Sequence, residues 1–164
     1  MNIGIIAIAA LIPLVLGWIW YHPMVLGKAW MGPAGMTEEK LKAGNMIVIF
    51  LLTYILSFFV AFSLQFLVIH QMHLKSILMN EPGINDKNSE IGIFISNFIE
   101  KYGNNFRTFK HGMLHGTIAG ITLALPVVAV TAMFERKGFK YIAINAGFWI
   151  ICFMLMGGVV CAFA

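Results

Sequence analysis

Charge is what this sequence has least of. Lys and Arg together number 11 and Asp and Glu 7, so charged residues make up 11% of the 164, where soluble domains carry about 25%. So sparse a set cannot cover a core when 60% of the residues are hydrophobic, which excludes an ordinary water-soluble domain. The charges are also missing altogether from four stretches, residues 3–21, 45–69, 112–134 and 141–164. Each is about 19 to 25 residues long, enough to cross about 30 Å of hydrocarbon as an α-helix. None of the four alternates polar with apolar positions, which excludes a transmembrane β-barrel. The fold class expected is all-α: a four-transmembrane-helix bundle forming one integral membrane domain over residues 1–164, with an extramembrane loop at about 70–111.

Other absences exclude further classes. The two cysteines, Cys152 and Cys161, both sit in the last stretch; nine residues along one helix separate them by about 13 Å, too far to pair. The first stretch has no basic segment before it, carries Pro13, and is followed by no small-residue cleavage pattern, so it reads as a retained helix rather than a signal peptide. Ser57 and Ser63 have no base at useful spacing, and there is neither a Gly-rich phosphate loop nor a paired acid motif, so no enzymatic activity is expected. The basic excess, a net +4, sits at the edges of the hydrophobic stretches. That arrangement suits lipid headgroups and argues against nucleic acid, which calls for a clustered basic face. The 11 methionines are scattered, which discounts copper.

Turn and cap signals divide what remains. Trp18, Trp20 and Tyr21 mark a headgroup boundary, and His22 before Pro23 is forced out of helical geometry. Thr37 is an N-cap followed by Glu38 and Glu39, so the second helix is expected to start in the interface and enter the membrane near Asn45. It is free to run past Ile69, because no Gly or Pro occurs between His70 and Met79. After Glu81-Pro82-Gly83, the residues Ile91, Phe94, Ile95, Phe98, Ile99 and Tyr102 recur at helical spacing, predicting a short amphipathic helix in the loop between helices two and three. The third helix begins around Phe109 and should bend at Pro126. Glu135-Arg136-Lys137-Gly138 is a tight hinge to the fourth, with Glu135 able to pair with Arg136, Lys137 or Lys28. Gln65 and Asn145 are amides expected to hydrogen-bond across helices.

Four crossings put both termini on one side. Five basic residues (Lys75, Lys87, Lys101, Arg107, Lys110) share that side, against six (Lys28, Lys40, Lys42, Arg136, Lys137, Lys140) in the two shorter loops. Counting positives therefore favours cytoplasmic short loops and external termini.

Two patterns on the third helix carry chemistry. Gly112, Gly116 and Gly120 recur every four residues, a small-residue row that lets helix backbones approach closely, within one subunit or between copies. His111 and His115 form a second row, one residue behind it. Histidines at i and i+4 grip one ion from one helix face. His70 and His73 end the second helix, at the same membrane face by topology, and Cys161 should reach that level. Four imidazoles and a thiolate there are a candidate site for zinc or another transition metal, or for proton relay. Histidines are also at home at membrane interfaces as simple hydrogen-bonding groups.

The chain resembles a bacterial membrane protein family called domain of unknown function 1761. The matching segments are Gly17-Trp18-Ile19-Trp20-Tyr21-His22-Pro23, Gly27-Lys28-Ala29-Trp30 and Gly35-Met36-Thr37-Glu38-Glu39. Further on come His111-Gly112-Met113-Leu114-His115-Gly116, Phe134-Glu135-Arg136-Lys137, Ile144-Asn145-Ala146-Gly147 and Met156-Gly157. They cover nearly the whole chain except residues 73–105. The resemblance implies a small four-helix membrane protein and carries no activity with it.

The function expected is that of a multi-pass protein of the bacterial inner membrane, a structural or accessory subunit. Its partners are the lipid bilayer and either further copies, in a homo-oligomer joined through the glycine row, or other components of a membrane complex. The alternative is an oligomeric ion, proton or metal channel or transporter that uses the histidines at one membrane face, with Pro13 and Pro126 as bend points.

Overall fold

The computed structural model describes residues 2–164. Every regular element among them is helical. In chain order they are α1 (Ile3–Trp20), a π-helical turn (Pro23–Gly27) leading into α2 (Lys28–Ala34), α3 (Glu38–Ala43), α4 (Met46–Val68), α5 (Met72–Ile77), α6 (Glu90–Tyr102), α7 (Phe109–Phe134) and α8 (Phe139–Phe163). Helices α1, α4, α7 and α8 are long and apolar enough to cross a membrane. Large apolar side chains such as Ile47, Phe134 and Phe139 stay exposed on them, as suits a surface solvated by lipid.

Helix α8 is the hub. Of its span 44% is buried, against 17–22% for the other three, because α1, α4 and α7 all pack on it. The core joins Ile6 and Ala9 of α1, Ala61, Leu64 and Val68 of α4, Ala119 of α7, and Phe148, Cys152, Met156, Val160 and Cys161 of α8. Lipid supplies no hydrophobic drive for this association, so close van der Waals fit must do it.

The glycine row provides that fit, and it does so inside the subunit. A Cβ on Gly112 would run into the carbonyl oxygen of Gly157, and one on Gly116 into the carbonyl oxygen of Phe153. One on Gly120 would lie 2.8 Å from the Ile150 Cα, and Gly157 faces back onto the Gly112 carbonyl and the Gly116 Cα. The row is therefore consumed by the antiparallel α7–α8 contact, and the expectation that it joins copies of the chain loses its footing.

Both predicted bends are present. Helix α1 is interrupted between Ala9 and Ile12, just before Pro13, which has no N–H to bond back with. In α7 the turn Gly120–Ala124 widens to π geometry ahead of Pro126. After α1, His22 is extended (ψ 139°), and Thr37 caps α3 by accepting the Lys40 N–H at 3.3 Å. The second helix differs from expectation at its start, while its other end falls where the uncharged stretch ends. It does not run in from Thr37: α3 stops at Gly44, which is extended, and Asn45 caps a new helix by accepting from Val48. Nor does it pass Ile69, where the backbone opens to ψ 93° before the short α5.

The interhelical amides behave differently from one another. The Tyr21 hydroxyl donates to Asn145 Oδ1 at 2.9 Å, and Asn145 Nδ2 donates to the Tyr141 carbonyl, while Trp20 Nε1 donates to the Ile144 carbonyl. These bonds fix the end of α1 against the start of α8. Gln65 is fully buried, yet neither of its amide atoms has a partner among the described residues, so the expected bond across helices does not form. At the α7–α8 hinge Lys137 Nζ donates to the Ala34 carbonyl at 3.3 Å. That bond ties the hinge to α2.

Candidate metal centre

Helix ends decide which histidines meet. Thr108 caps α7 by accepting the His111 N–H at 3.2 Å, so His111 and His115 stand one turn apart at the head of that helix. The opening of the backbone at Ile69 carries the next residue, His70, off the end of α4 toward them. Cys161 donates its thiol hydrogen between the carbonyls of Val68 (3.2 Å) and Phe106 (3.3 Å), binding the ends of α4 and α8 and the loop before α7. Three imidazoles from two elements thus converge at one end of the bundle, with one ring nitrogen of each within 4.8 Å of the others.

The convergence is close. Nε2 of His70 and Nε2 of His111 are 2.9 Å apart, one donating to the other. Ring centroids are separated by 5.1 Å for His70–His111, 4.9 Å for His70–His115 and 4.5 Å for His111–His115. Zinc binds imidazole nitrogen at about 2.0–2.1 Å, which in a tetrahedron sets ligand nitrogens about 3.4 Å apart. The 2.9 Å pair must open by about 0.5 Å, and since all three nitrogens lie within 4.8 Å no separation need close by more than about 1.4 Å, within the reach of rotation about the side-chain torsions. Metal-binding imidazoles must be neutral. His70 is held below the ordinary histidine range by partial desolvation and then by the neighbouring His115 and His73, which favours the neutral ligand form. A set of three imidazoles with a free fourth position is the ligand pattern of open zinc sites rather than closed structural ones.

The other sequence candidates lie apart. His73 turns back along its own chain, its Nε2 2.9 Å from the Phe66 carbonyl at the end of α4, and does not join the three. Cys161 reaches the same level but is engaged with the two carbonyls, outside the group of converging nitrogens.

Two residues at the site carried no signal in the sequence. Phe106 adopts φ +62°, a left-handed backbone conformation that costs a non-glycine residue about 1–2 kcal/mol. Its ring stacks on His111 at 5.1 Å with 32° between planes and meets His70 edge-on at 6.3 Å. Turn chemistry would assign the left-handed position to the neighbouring Gly103, Asn104 or Asn105, not to a phenylalanine. Gln71, next to His70, donates both N–H bonds of its amide, to the carbonyls of Tyr102 (3.2 Å) and Asn105 (2.7 Å), and so anchors the end of α6 beside the histidines.

No curated protein and no solved structure matches the chain. A family model does, over residues 5–161, a range that takes in the histidine cluster, the glycine row and all four long helices except the outermost two residues of the first and of the last. The chain accordingly belongs to the family described as protein of unknown function (DUF1761).

Proposed function

We propose that this protein is a multi-pass protein of the inner membrane whose task depends on a transition metal ion, zinc by preference, held by His70, His111 and His115 at one membrane face. The observation that carries this reading is the mutual approach of three imidazole nitrogens to within 4.8 Å, with His70 brought to a pair, His111 and His115, that lies 41 and 45 positions further along the chain. Chance neighbours at an interface have no reason to share a focus. Here the Thr108 cap, the opening at Ile69 and the Phe106 stack all act to hold one. No carboxylate is needed: three imidazoles and one further ligand complete a tetrahedron.

The ion is held rather than passed through the subunit. Leu64 and Val68 of α4 and Met156 and Val160 of α8 are all fully buried in one apolar cluster, which offers an ion no polar route through the packed interior. Access is therefore from the membrane face, which favours a binding or accessory role over conduction within one chain.

Purified protein, stripped with a chelator and dialysed against zinc, should retain stoichiometric zinc by elemental analysis. His111→Ala and His115→Ala should each lose most of it, and His73→Ala should keep it. Wild-type protein without stoichiometric zinc, or a wild-type content in both His111→Ala and His115→Ala, would overturn the proposal.

A further inference from the structure

A cavity of about 460 Å³ lies beside the histidines, within the range of about 300–1,000 Å³ typical of small-molecule sites. Its walls are almost wholly apolar. Leu74 and Ile77 come from α5, Phe98 and Tyr102 from α6, and His70 and Phe106 line it as well. Those last two are shared with the metal centre, His70 as a ligand and Phe106 as the ring stacked on His111. The cavity and the candidate ion site are therefore adjoining parts of one surface.

We infer that this cavity receives the hydrocarbon chain of a fatty acid whose carboxylate is the fourth ligand of the ion; the inference rests on the metal-binding reading above. Charge argues for the anion. Imidazoles ligate as neutral groups, so three of them leave a divalent ion with its full double charge. In the sequence, Arg107 follows Phe106 in the loop and Lys110 precedes His111 in the first turn of α7, adding positive charge beside the site. The apolar walls argue for a chain behind the anionic group, since a small hydrophilic anion would gain nothing from Leu74, Ile77 and Phe98. Size argues for a single chain, because about 460 Å³ does not accommodate a two-chain phospholipid. Position supplies the ligand: the site sits where α4 ends and α7 begins, at the bilayer edge where free fatty acids reside.

The test uses the full chain in nanodiscs of zwitterionic lipid, stripped or zinc-loaded, titrated with cis-parinaric acid and referenced to empty nanodiscs. Zinc loading should tighten probe binding on the order of tenfold or more, the scale of one charge-assisted contact, and should leave the methyl ester of the probe unaffected. Leu74→Trp and Ile77→Trp, which fill the cavity from two positions, should weaken the acid while zinc content stays at the wild-type level, a readout that also establishes their folding. Equal probe affinity with and without zinc, in protein holding stoichiometric zinc, would overturn the acyl ligand and leave the metal site standing. Displacement of the probe by dodecyl phosphate but not by dodecanoate would overturn the carboxylate assignment. A chain that retains no zinc would overturn the underlying reading instead.

Discussion

Single atoms decide several features of this molecule. The glycines of α7 are the clearest case, because an added methyl at Gly116 would occupy the place of the Phe153 carbonyl oxygen and lie 3.0 Å from the Met154 Cα. Backbone cannot move aside as a flexible side chain can. Gly116→Ala should therefore destabilise the fold by about 1–3 kcal/mol or more, read as a lower melting temperature in detergent. Gly32→Ala is the control: nothing lies within 4 Å of its added Cβ, and a helical alanine gains about 0.5–1 kcal/mol over glycine. Gln65 makes the opposite case. Its amide is fully buried and unpaired among the described residues, and such a group costs about 1–3 kcal/mol. Gln65→Leu, close in volume and free of polar atoms, should raise the melting temperature; a fall would show that the amide is satisfied in the membrane.

At the scale of elements, the spans were readable because charge is excluded from hydrocarbon at a cost of about 2.5–3.5 kcal/mol per residue. The four uncharged stretches therefore had to be helices. Their junctions were less readable, since a helix end is set by where hydrogen bonds are redirected rather than by composition. Asn45 restarts a helix after Gly44 by capping Val48, and the break at Ile69 has neither Gly nor Pro to announce it. The site inherits that limit. The i, i+4 pair His111 and His115 follows from spacing alone, but the choice of His70 over His73 as the third member depends on the backbone opening at Ile69. Phe106 depends on a left-handed turn no phenylalanine advertises. The α1–α8 junction offers a direct check on the polar links between elements. Tyr21→Phe deletes the bond to Asn145 Oδ1 and should cost about 0.6 kcal/mol, up to about 1.7, the range found for hydrogen bonds between membrane helices. The measurement is denaturant unfolding in mixed micelles, and no change in midpoint would mean that Asn145 finds another donor.

Taken whole, the molecule is a bundle organised on α8, closed at one end by the Tyr21–Asn145 and Trp20–Ile144 bonds and at the other by Cys161, α5 and α6. The tight helix packing that suggested assembly from several copies is spent on the α7–α8 pair within one chain. That shifts the functional weight from the glycine row to the neighbouring histidine row, where three imidazoles share a focus beside an apolar cavity. X-ray absorption at the zinc edge of the reconstituted protein tests this claim most directly. The account predicts three imidazole nitrogens at about 2.0–2.1 Å and one oxygen as the fourth ligand; a sulfur scatterer at about 2.3 Å, or a shell of oxygens without imidazole scattering, would contradict it.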